Sequence, residues 1–179
     1  MKGSYRVGDG VEGFSCGAGP AGWRYVGTRS GGNGDGDTVD LTVDATGRCV
    51  RLVVEQDGWE LRGGSVGAEV LWVRGQDEHR ATADGFTGSS PAYDVATARL
   101  LGLQVGEQRR TTLVEITEPV AATRTVEHGW ARTEGPEPDV DRYEVADLQT
   151  GERWVLHVSG EVLVSREGAR TAALTEMLL

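Results

Sequence analysis

Apolar and polar residues alternate with a period of two along much of this chain, which is the pattern of half-buried β-strands. The alternation is clearest in TVDLTVD (38–44), and the turn ATGR then leads into CVRLVVE (49–55), so these segments predict a β-hairpin. Similar strand signals, separated by turns that contain glycine, occur at 69–74, 111–118, 141–148, 153–158 and 161–165. The pattern therefore predicts an antiparallel sheet of many short strands.

Helical periodicity is confined to PAYDVATARLLGL (91–103), where Pro91 suits the first helical position and Gly102 suits the C-terminal cap. Ser90 then stands at the N-cap position. Because the second glycine of a Gly-x-Ser-x-Gly nucleophile elbow is missing, we interpret Ser90 as structural. The tail ARTAALTEMLL (169–179) is a candidate for a second helix.

Three strand segments carry apolar residues on both faces: VLWV (70–73), WVLHV (154–158) and VLV (162–164). A second apolar face must be covered, either by helices or by the sheet curling around an interior. Because the chain offers little helix, we predict a mainly β (α+β) fold: a strongly bent antiparallel sheet, half barrel or barrel, with one or two short helices. Such a sheet would enclose an apolar cavity for a small ligand.

The length of 179 residues is that of one domain, covering residues 1–179. VEQDGWELR (54–62) is echoed by VEHGWAR (126–132), which suggests a build from two halves. The halves would span about 1–90 and 91–179 and join at an elbow around Pro91. Chance similarity between two short stretches is the alternative.

Charge and composition narrow the range of partners. The formal net charge of −10 repels the phosphate backbone, so we expect no nucleic-acid partner. No stretch approaches the roughly 20 apolar residues of a membrane span, and the start of the chain lacks the apolar region of a signal peptide. We therefore expect no membrane insertion, a cytoplasmic location and a monomer or homodimer. Lys2 is the only lysine, which is typical of a GC-rich bacterial genome.

The residues that bind metals and cofactors are sparse in this chain. Cys16 and Cys49 are far apart and lack the close pairing of zinc sites, so they are expected to be free thiols. No nucleotide-binding loop is visible. We therefore expect neither a metal nor a cofactor.

Two titratable residues lie within apolar strand segments. WVLHV places His157 on one face with Val155, opposite Trp154, and a histidine there is either a satisfied buried residue or an acid or base. Glu115 in LVEIT faces either water or a concavity in which burial would raise its pKa. By contrast, His79 lies in a polar stretch that indicates a solvated loop.

Large aromatic residues are the candidate walls of a ligand site, although rings of this size are also common core residues. Arg99 would add a fixed positive charge and Tyr143 a hydroxyl group. The aromatic candidates are Trp59, Trp72, Trp130 and Trp154.

The order of these segments resembles a bacterial family described as glycolipid-binding. The similarity covers about Thr38 to Gly168 and runs from CVRLVVEQDGWELRGGSVGAEVLWVR through FTGSSPAYDVATARLLGLQVGE and ITEPVAATRTVEHGWAR to DRYEVADLQTGERWVLHVSGEVLVSREG. The resemblance implies a duplicated antiparallel half barrel, similar to lipoprotein-carrier folds, with an apolar groove suited to a lipid or glycolipid. The family's elbow pattern is matched here at Phe86, Thr87, Pro91, Arg99 and Leu100.

Two functional hypotheses follow. The first is a cofactor-free protein that binds an apolar or amphipathic small molecule in the cavity of its bent sheet. The second is a small cyclase, isomerase or hydrolase that uses His157 and Glu115 for acid–base catalysis on an apolar biosynthetic metabolite in the same cavity.

Overall fold

The computed structural model describes residues 1–20, 22–169 and 171–178. Within these ranges the chain forms fifteen strands in a single sheet, and one α-helix. The elements are β1 (Lys2–Val7), β2 (Gly10–Gly19), β3 (Gly22–Ser30), β4 (Thr38–Val43), β5 (Cys49–Gln56), β6 (Trp59–Val66), β7 (Glu69–Arg74), β8 (Asp77–Thr82), β9 (Gly85–Thr87), α1 (Pro91–Leu101), β10 (Gln108–Thr117), β11 (Ala122–Thr133), β12 (Asp141–Asp147), β13 (Arg153–Ser159), β14 (Val162–Gly168) and β15 (Ala172–Leu178).

The strand order follows the chain in both directions from its two termini. From β1 the sheet runs through β2 to β8 on one side, and from β15 through β14 to β9 on the other, with β1 and β15 paired at the centre. Neighbouring strands are antiparallel except β9 and β10, which are parallel. The structure therefore confirms the prediction of a mainly β fold with a strongly bent antiparallel sheet.

The two edges of this sheet come together. The edge strands β8 and β9 are separated by only residues 83 and 84 in the chain. The ring of Trp72 on β7 meets Phe86 on β9 edge-on, with centroids 6.2 Å apart. Arg74 donates a hydrogen bond of 2.8 Å to the carbonyl of Val120 in the β10–β11 turn. The sheet thus curls around an interior without closing into a barrel.

Helix α1 lies in that interior. Nine of its eleven residues are buried, whereas a surface helix would expose one polar face. Ser90 caps its first turn and Gly102 ends it in the left-handed conformation, as the sequence predicted. At Gly47, in the β4–β5 turn, a Cβ would lie 2.3 Å from the backbone nitrogen of Leu100, so this turn fits against the end of the helix only as glycine.

No helix within the described ranges has the length and apolar character needed to cross a membrane.

Several sequence predictions were wrong. The tail candidate for a helix is strand β15, because residues 172–178 pair along β1. His79 lies on β8 rather than in a loop, and its ring stacks on Trp72 at 5.4 Å. Strand β8 is almost entirely polar and exposed, as is common at a sheet edge, so its sequence lacks an apolar alternation.

The echo between residues 54–62 and 126–132 is not a structural repeat. The first copy spans the hairpin turn between β5 and β6, with Asp57 and Gly58 in the left-handed conformation. The second copy lies within the single strand β11. Accordingly, Trp59 is 40% exposed and Trp130 only 2%.

Strands β14 and β15 separate after two paired residues, Ser165 and Arg166. The backbone N–H of Leu163, beyond this point, donates instead to the hydroxyl of Tyr5 at 3.1 Å. Both residues are buried, so the tyrosine replaces a strand as the partner of this amide. Burial raises the pKa of Tyr5, which keeps the phenol neutral.

We expect Tyr5→Phe to lower the free energy of unfolding by about 1–3 kcal/mol, because it leaves the buried Leu163 amide without a partner. Chemical denaturation measures this change. Tyr143→Phe is the control, since Tyr143 is also buried but its hydroxyl makes no hydrogen bond to any residue that the structure describes. Equal losses in both variants would contradict this role for Tyr5.

Candidate functional site

A groove with a volume of about 860 Å³ lies across strands β10 to β14. Its position follows from the register of these strands. One row of paired residues is Gln108, Ala131, Glu144 and Val155, and the next row is Arg110, Gly129, Ala146 and Arg153. On β11, β12 and β13 these side chains alternate with buried ones, so they point away from the core, and Gln108 and Arg110 share their face through the register of β10 with β11. The groove is therefore on the outer face of the sheet.

Small residues form the floor of this groove. The outward positions of the two middle strands, β11 and β12, include Gly129, Ala131 and Ala146, and Val155 adds to the floor from β13. The flanking strands carry longer side chains, including Arg110 and Gln108 on β10. The short side chains at these positions, next to the longer side chains of Gln108 and Arg110, leave the groove.

The rim of the groove carries charge. On the outer face its lining includes two arginines, Arg110 and Arg153, and two glutamates, Glu144 and Glu167, whereas Arg109 is in register with Trp130 on the opposite face. Glu144 is paired with Arg142, which lies 2.6 Å away on the same strand. Neither Arg110 nor Arg153 forms an ion pair with another residue in the described ranges. The groove is thus locally basic in a chain whose net charge is −10.

Two of the predicted aromatic residues contribute to the groove from below. Trp130 and Trp154 are among its lining residues, although both are at most 8% exposed. Their rings point into the core, where Trp130 meets Tyr143 at 5.8 Å and Trp154 meets His128 at 5.1 Å. They support the floor rather than stack against a ligand.

A second groove, of about 640 Å³, lies on the outer face of the first half, across β3 to β6. Its charged residues are engaged with one another. Asp40 accepts hydrogen bonds from both Arg24 and Arg51, and these bonds hold the pKa of Asp40 below its usual value. Arg62 pairs with Glu60 at 2.7 Å. The charges of this groove are largely neutralised within the protein.

The concave side of the sheet has little room for a ligand near the helix. Two interior cavities adjoin α1, with volumes of about 20 and 10 Å³. Each is about the size needed for one water molecule. The sequence predicted a ligand cavity within the bent sheet. Helix α1 occupies this part of the interior, and the two larger grooves lie on the outer face of the sheet.

A buried ionic cluster surrounds the start of the helix, and we call it the elbow network: Glu12, Arg29, Ser89, Ser90, Asp94, Glu118 and Arg166. Glu12 on β2 accepts hydrogen bonds from Ser90 at 2.5 Å and from Tyr25 at 2.6 Å. Ser90 in turn accepts from the amide of Ala92 as the helix cap. One serine therefore links the first half of the sheet to the helix.

Two arginines connect the elbow to both halves. Arg29 on β3 donates to the hydroxyl of Ser89 at 2.9 Å and pairs with Glu118. Arg166 on β14 donates to Asp94 of the helix at 2.8 Å and to the carbonyl of Ser89 at 2.9 Å. The elbow is thus the point at which β2, β3, β14 and the β10–β11 turn are held together.

Burial raises the pKa of Glu12, and the hydrogen bonds from Ser90 and Tyr25 and the charges of Arg29 and Arg166 oppose this only in part. The cavity that touches Glu12 is too small for a substrate. We therefore interpret the elbow network as a structural connection.

The two candidate catalytic residues lie apart. His157 is on the outer face of β13, where its Nδ1 atom is 3.0 Å from the hydroxyl of Ser165. Glu115 is on β10, three strands away, and it is buried and paired with Arg124. Glu115 is paired with Arg124, which is on the same face of β11 as Trp130. His157 is in register with Arg142 and Thr133, which are on the other face, so Glu115 and His157 lie on opposite faces of the sheet. The structure does not bring them into one site.

The remaining predicted site residues also fall outside the groove lining. Trp72 is buried between His79 and Phe86, and Tyr143 packs against Trp130. The guanidinium of Arg99 lies 5.9 Å from the ring of Trp23, and that of Arg74 lies 3.7 Å over exposed Trp59. These aromatic residues are mostly core residues, which was the alternative interpretation.

Sequence reasoning missed the groove residues because each is ordinary by itself. The small residues in GWA (129–131) and Ala146 acquire meaning only when β11 and β12 are paired in register. The elbow network did leave a signal. Glu12 is two residues from Phe14 on β2, so the two side chains share a buried face. Arg29 is four residues from Tyr25 on β3 and shares its buried face in the same way. A charged residue within the apolar alternation of a strand is therefore the signal.

Comparisons with known proteins bear on the fold. No family model matches the chain, and no curated protein sequence matches it. A crystal structure of a DUF1089 family protein from Pseudomonas aeruginosa is similar, with a TM-score of 0.59 and 18% sequence identity. The match covers 92% of this chain and 88% of that one. At this identity the likeness shows that the two proteins share a fold, a bent all-β sheet.

We expect Ser90→Ala to lower the free energy of unfolding by about 1–3 kcal/mol, because it removes both the helix cap and a hydrogen bond to buried Glu12. Ser65→Ala is a matched control, since the buried Ser65 hydroxyl has no hydrogen-bond partner within the described ranges. Thermal or chemical denaturation compares the two. A loss no larger in Ser90→Ala than in Ser65→Ala would contradict the elbow assignment.

The raised pKa of Glu12 predicts a pH dependence of stability. The folded protein holds the proton of Glu12 more tightly than the unfolded chain does, so this residue's contribution to stability falls as the pH rises above its unfolded pKa. Glu12→Gln cannot titrate. The wild type should therefore lose stability relative to this variant as the pH rises above about 4, near the unfolded pKa of a glutamate, until the folded-state pKa is passed.

Denaturation curves at several pH values measure this difference, and Glu127→Gln, at an exposed position, serves as the control. A difference between wild type and Glu12→Gln that stays constant, or that moves in favour of the wild type as the pH rises, would contradict a raised pKa of Glu12 in the folded protein.

Proposed function

We propose that this protein binds an amphipathic small molecule, without a cofactor, in the outer groove of β10 to β14. The observation that carries the proposal is the groove itself. Its volume of about 860 Å³ falls within the range of small-molecule sites. A lipid or glycolipid is the ligand class implied by the sequence resemblance.

The composition of the groove supports an amphipathic ligand. Ala131, Ala146 and Val155 offer an apolar floor, and Leu148, which is 42% exposed, lies beside it. Burying this surface under an apolar chain is favourable, at about 25 cal/mol per Å². The arginines and glutamates of the rim suit a polar head group that remains near water. Among the described residues that line the groove, no pair resembles a nucleophile and its base, which favours binding over catalysis.

The proposal places the ligand outside the sheet, in contrast to the interior cavity expected from the sequence. Support for the outer site comes from the helix, which fills the concave side next to the elbow. An outer site also needs no opening of the core. Binding there leaves the fold as it is, which fits the usual behaviour of preformed sites.

We expect the neutral probe N-phenyl-1-naphthylamine to bind at about one molecule per chain, and single-chain amphipaths to displace it. Ala146→Phe and Ala131→Phe should each weaken probe binding by about tenfold or more, because the new rings occupy the floor. Fluorescence titration measures the affinity.

Val53→Phe is the matched control, because Val53 lines the outer groove of the first half and its substitution leaves β10 to β14 unchanged. Unchanged probe affinity in both groove variants would overturn the proposal. Loss in Val53→Phe alone would place the site in the first half.

A further inference from the structure

We infer that the ligand of the outer groove carries an anionic head group, a phosphate, sulfate or carboxylate, which Arg110 and Arg153 hold between them. The inference rests on the proposed function and adds the chemical class of the ligand. The occupant is a single amphipathic molecule taken from solution.

The register of the strands places the two arginines at the ends of one row. Arg110, Gly129, Ala146 and Arg153 form one continuous row across β10, β11, β12 and β13. Strands lie 4.7–4.9 Å apart, so the two arginine Cα atoms are about 14 Å apart. Gly129, which has no side chain, and Ala146 lie between them in this row, and the side chain of Leu148 packs against Gly129. The two arginine side chains can therefore lean inward over Ala146 from the ends of the row and contact one anion beside Leu148.

The guanidinium groups of Arg110 and Arg153 have N–H donors that are available to a ligand. Each guanidinium has five N–H donors, and neither Arg110 nor Arg153 is paired with a carboxylate in the described part of the chain. In the first-half groove, Arg51 and Arg62 are both bound to acids. Because the protein neutralises the arginines there and leaves Arg110 and Arg153 of the β10–β14 groove without an acid partner in the described ranges, charge complementarity favours an anion in the β10–β14 groove.

The position of the glutamates sets the orientation of the ligand in the groove. The glutamates of the groove, Glu144 and Glu167, belong to the adjacent row, together with Ala131 and Val155. Two residues along a strand separate the rows, which is about 7 Å. An anion is attracted to the arginine row and repelled from the glutamate row, so the head group has one preferred end. The apolar part of the molecule then extends over Ala131 and Val155.

The test compares three amphipaths with the same twelve-carbon chain, each below its micelle concentration: dodecyl phosphate, dodecyl maltoside and dodecyltrimethylammonium. Displacement of the neutral probe reports their affinities. We expect dodecyl phosphate to bind most tightly, and Arg110→Gln and Arg153→Gln each to weaken it by about tenfold, while dodecyl maltoside binding is unchanged. The phosphate preference should also shrink as salt is added, since the arginines are exposed.

Arg62→Gln, in the first-half groove, is the control and should leave all three affinities unchanged. If dodecyl maltoside binds as tightly as dodecyl phosphate and the arginine variants have no effect, the anionic head group is wrong while the proposed function stands. If the probe does not bind and none of the three amphipaths binds either, the proposed function fails as well.

Two further arms separate the sources of an anion. Inorganic phosphate alone should compete only weakly, because it lacks the apolar chain. Binding of phosphate as tight as that of dodecyl phosphate would make the site one for a free anion and overturn the amphipath. Co-sedimentation with phosphatidylglycerol vesicles, lost in Arg110→Gln and without binding of dodecyl phosphate from solution, would make the occupant a membrane surface instead.

Discussion

The buried ion pair between Arg166 and Asp94 is the contact on which the rest of the arrangement depends. Both side chains are almost fully buried, at 3% and 6% exposure, and their charges meet at 2.8 Å. Breaking such a pair typically costs about 3–5 kcal/mol, because the remaining charge is left without a partner. The pair attaches α1 to β14, and Ser90 and Glu12 attach the same end of the helix to β2. A helix with hardly any exposed face is thereby held inside the sheet.

The position of the helix decides where a ligand can bind. A bent sheet with an empty concave side would offer an apolar cavity, but here α1 and the side chains around it fill that space. The sheet nonetheless has a second, outer surface, which is twisted. A groove forms on this surface where the outward residues are small, as at Gly129, Ala131 and Ala146. The large groove of β10 to β14 is thus on the outside of the fold.

The two halves of the sheet differ in how they use their outer surfaces. In the first half, Asp40 with Arg24 and Arg51 forms a closed set of charges on neighbouring strands. In the second half, the arginines at the ends of one row have no such acid beside them in the described ranges, since the positions between them are Gly129 and Ala146. The same sheet geometry therefore yields one groove that is electrostatically satisfied and one that can accept an external charge.

The sequence by itself determined the local structure: the hairpin of β4 and β5, strand β7, and helix α1 with its cap at Ser90 and its end at Gly102. These follow from alternation, turn residues and capping, which act over a few neighbouring residues. The predicted bend of the sheet is confirmed, although the second apolar face from which it was predicted is exposed on β7, at Leu71 and Val73, rather than covered. Only the tertiary structure decided that residues 172–178 form a strand, that Glu12 and Arg29 meet Ser90 and Ser89, and that the large groove is outside. Each of these depends on the register between strands distant in the chain, and register assigns every side chain to a face and a neighbour.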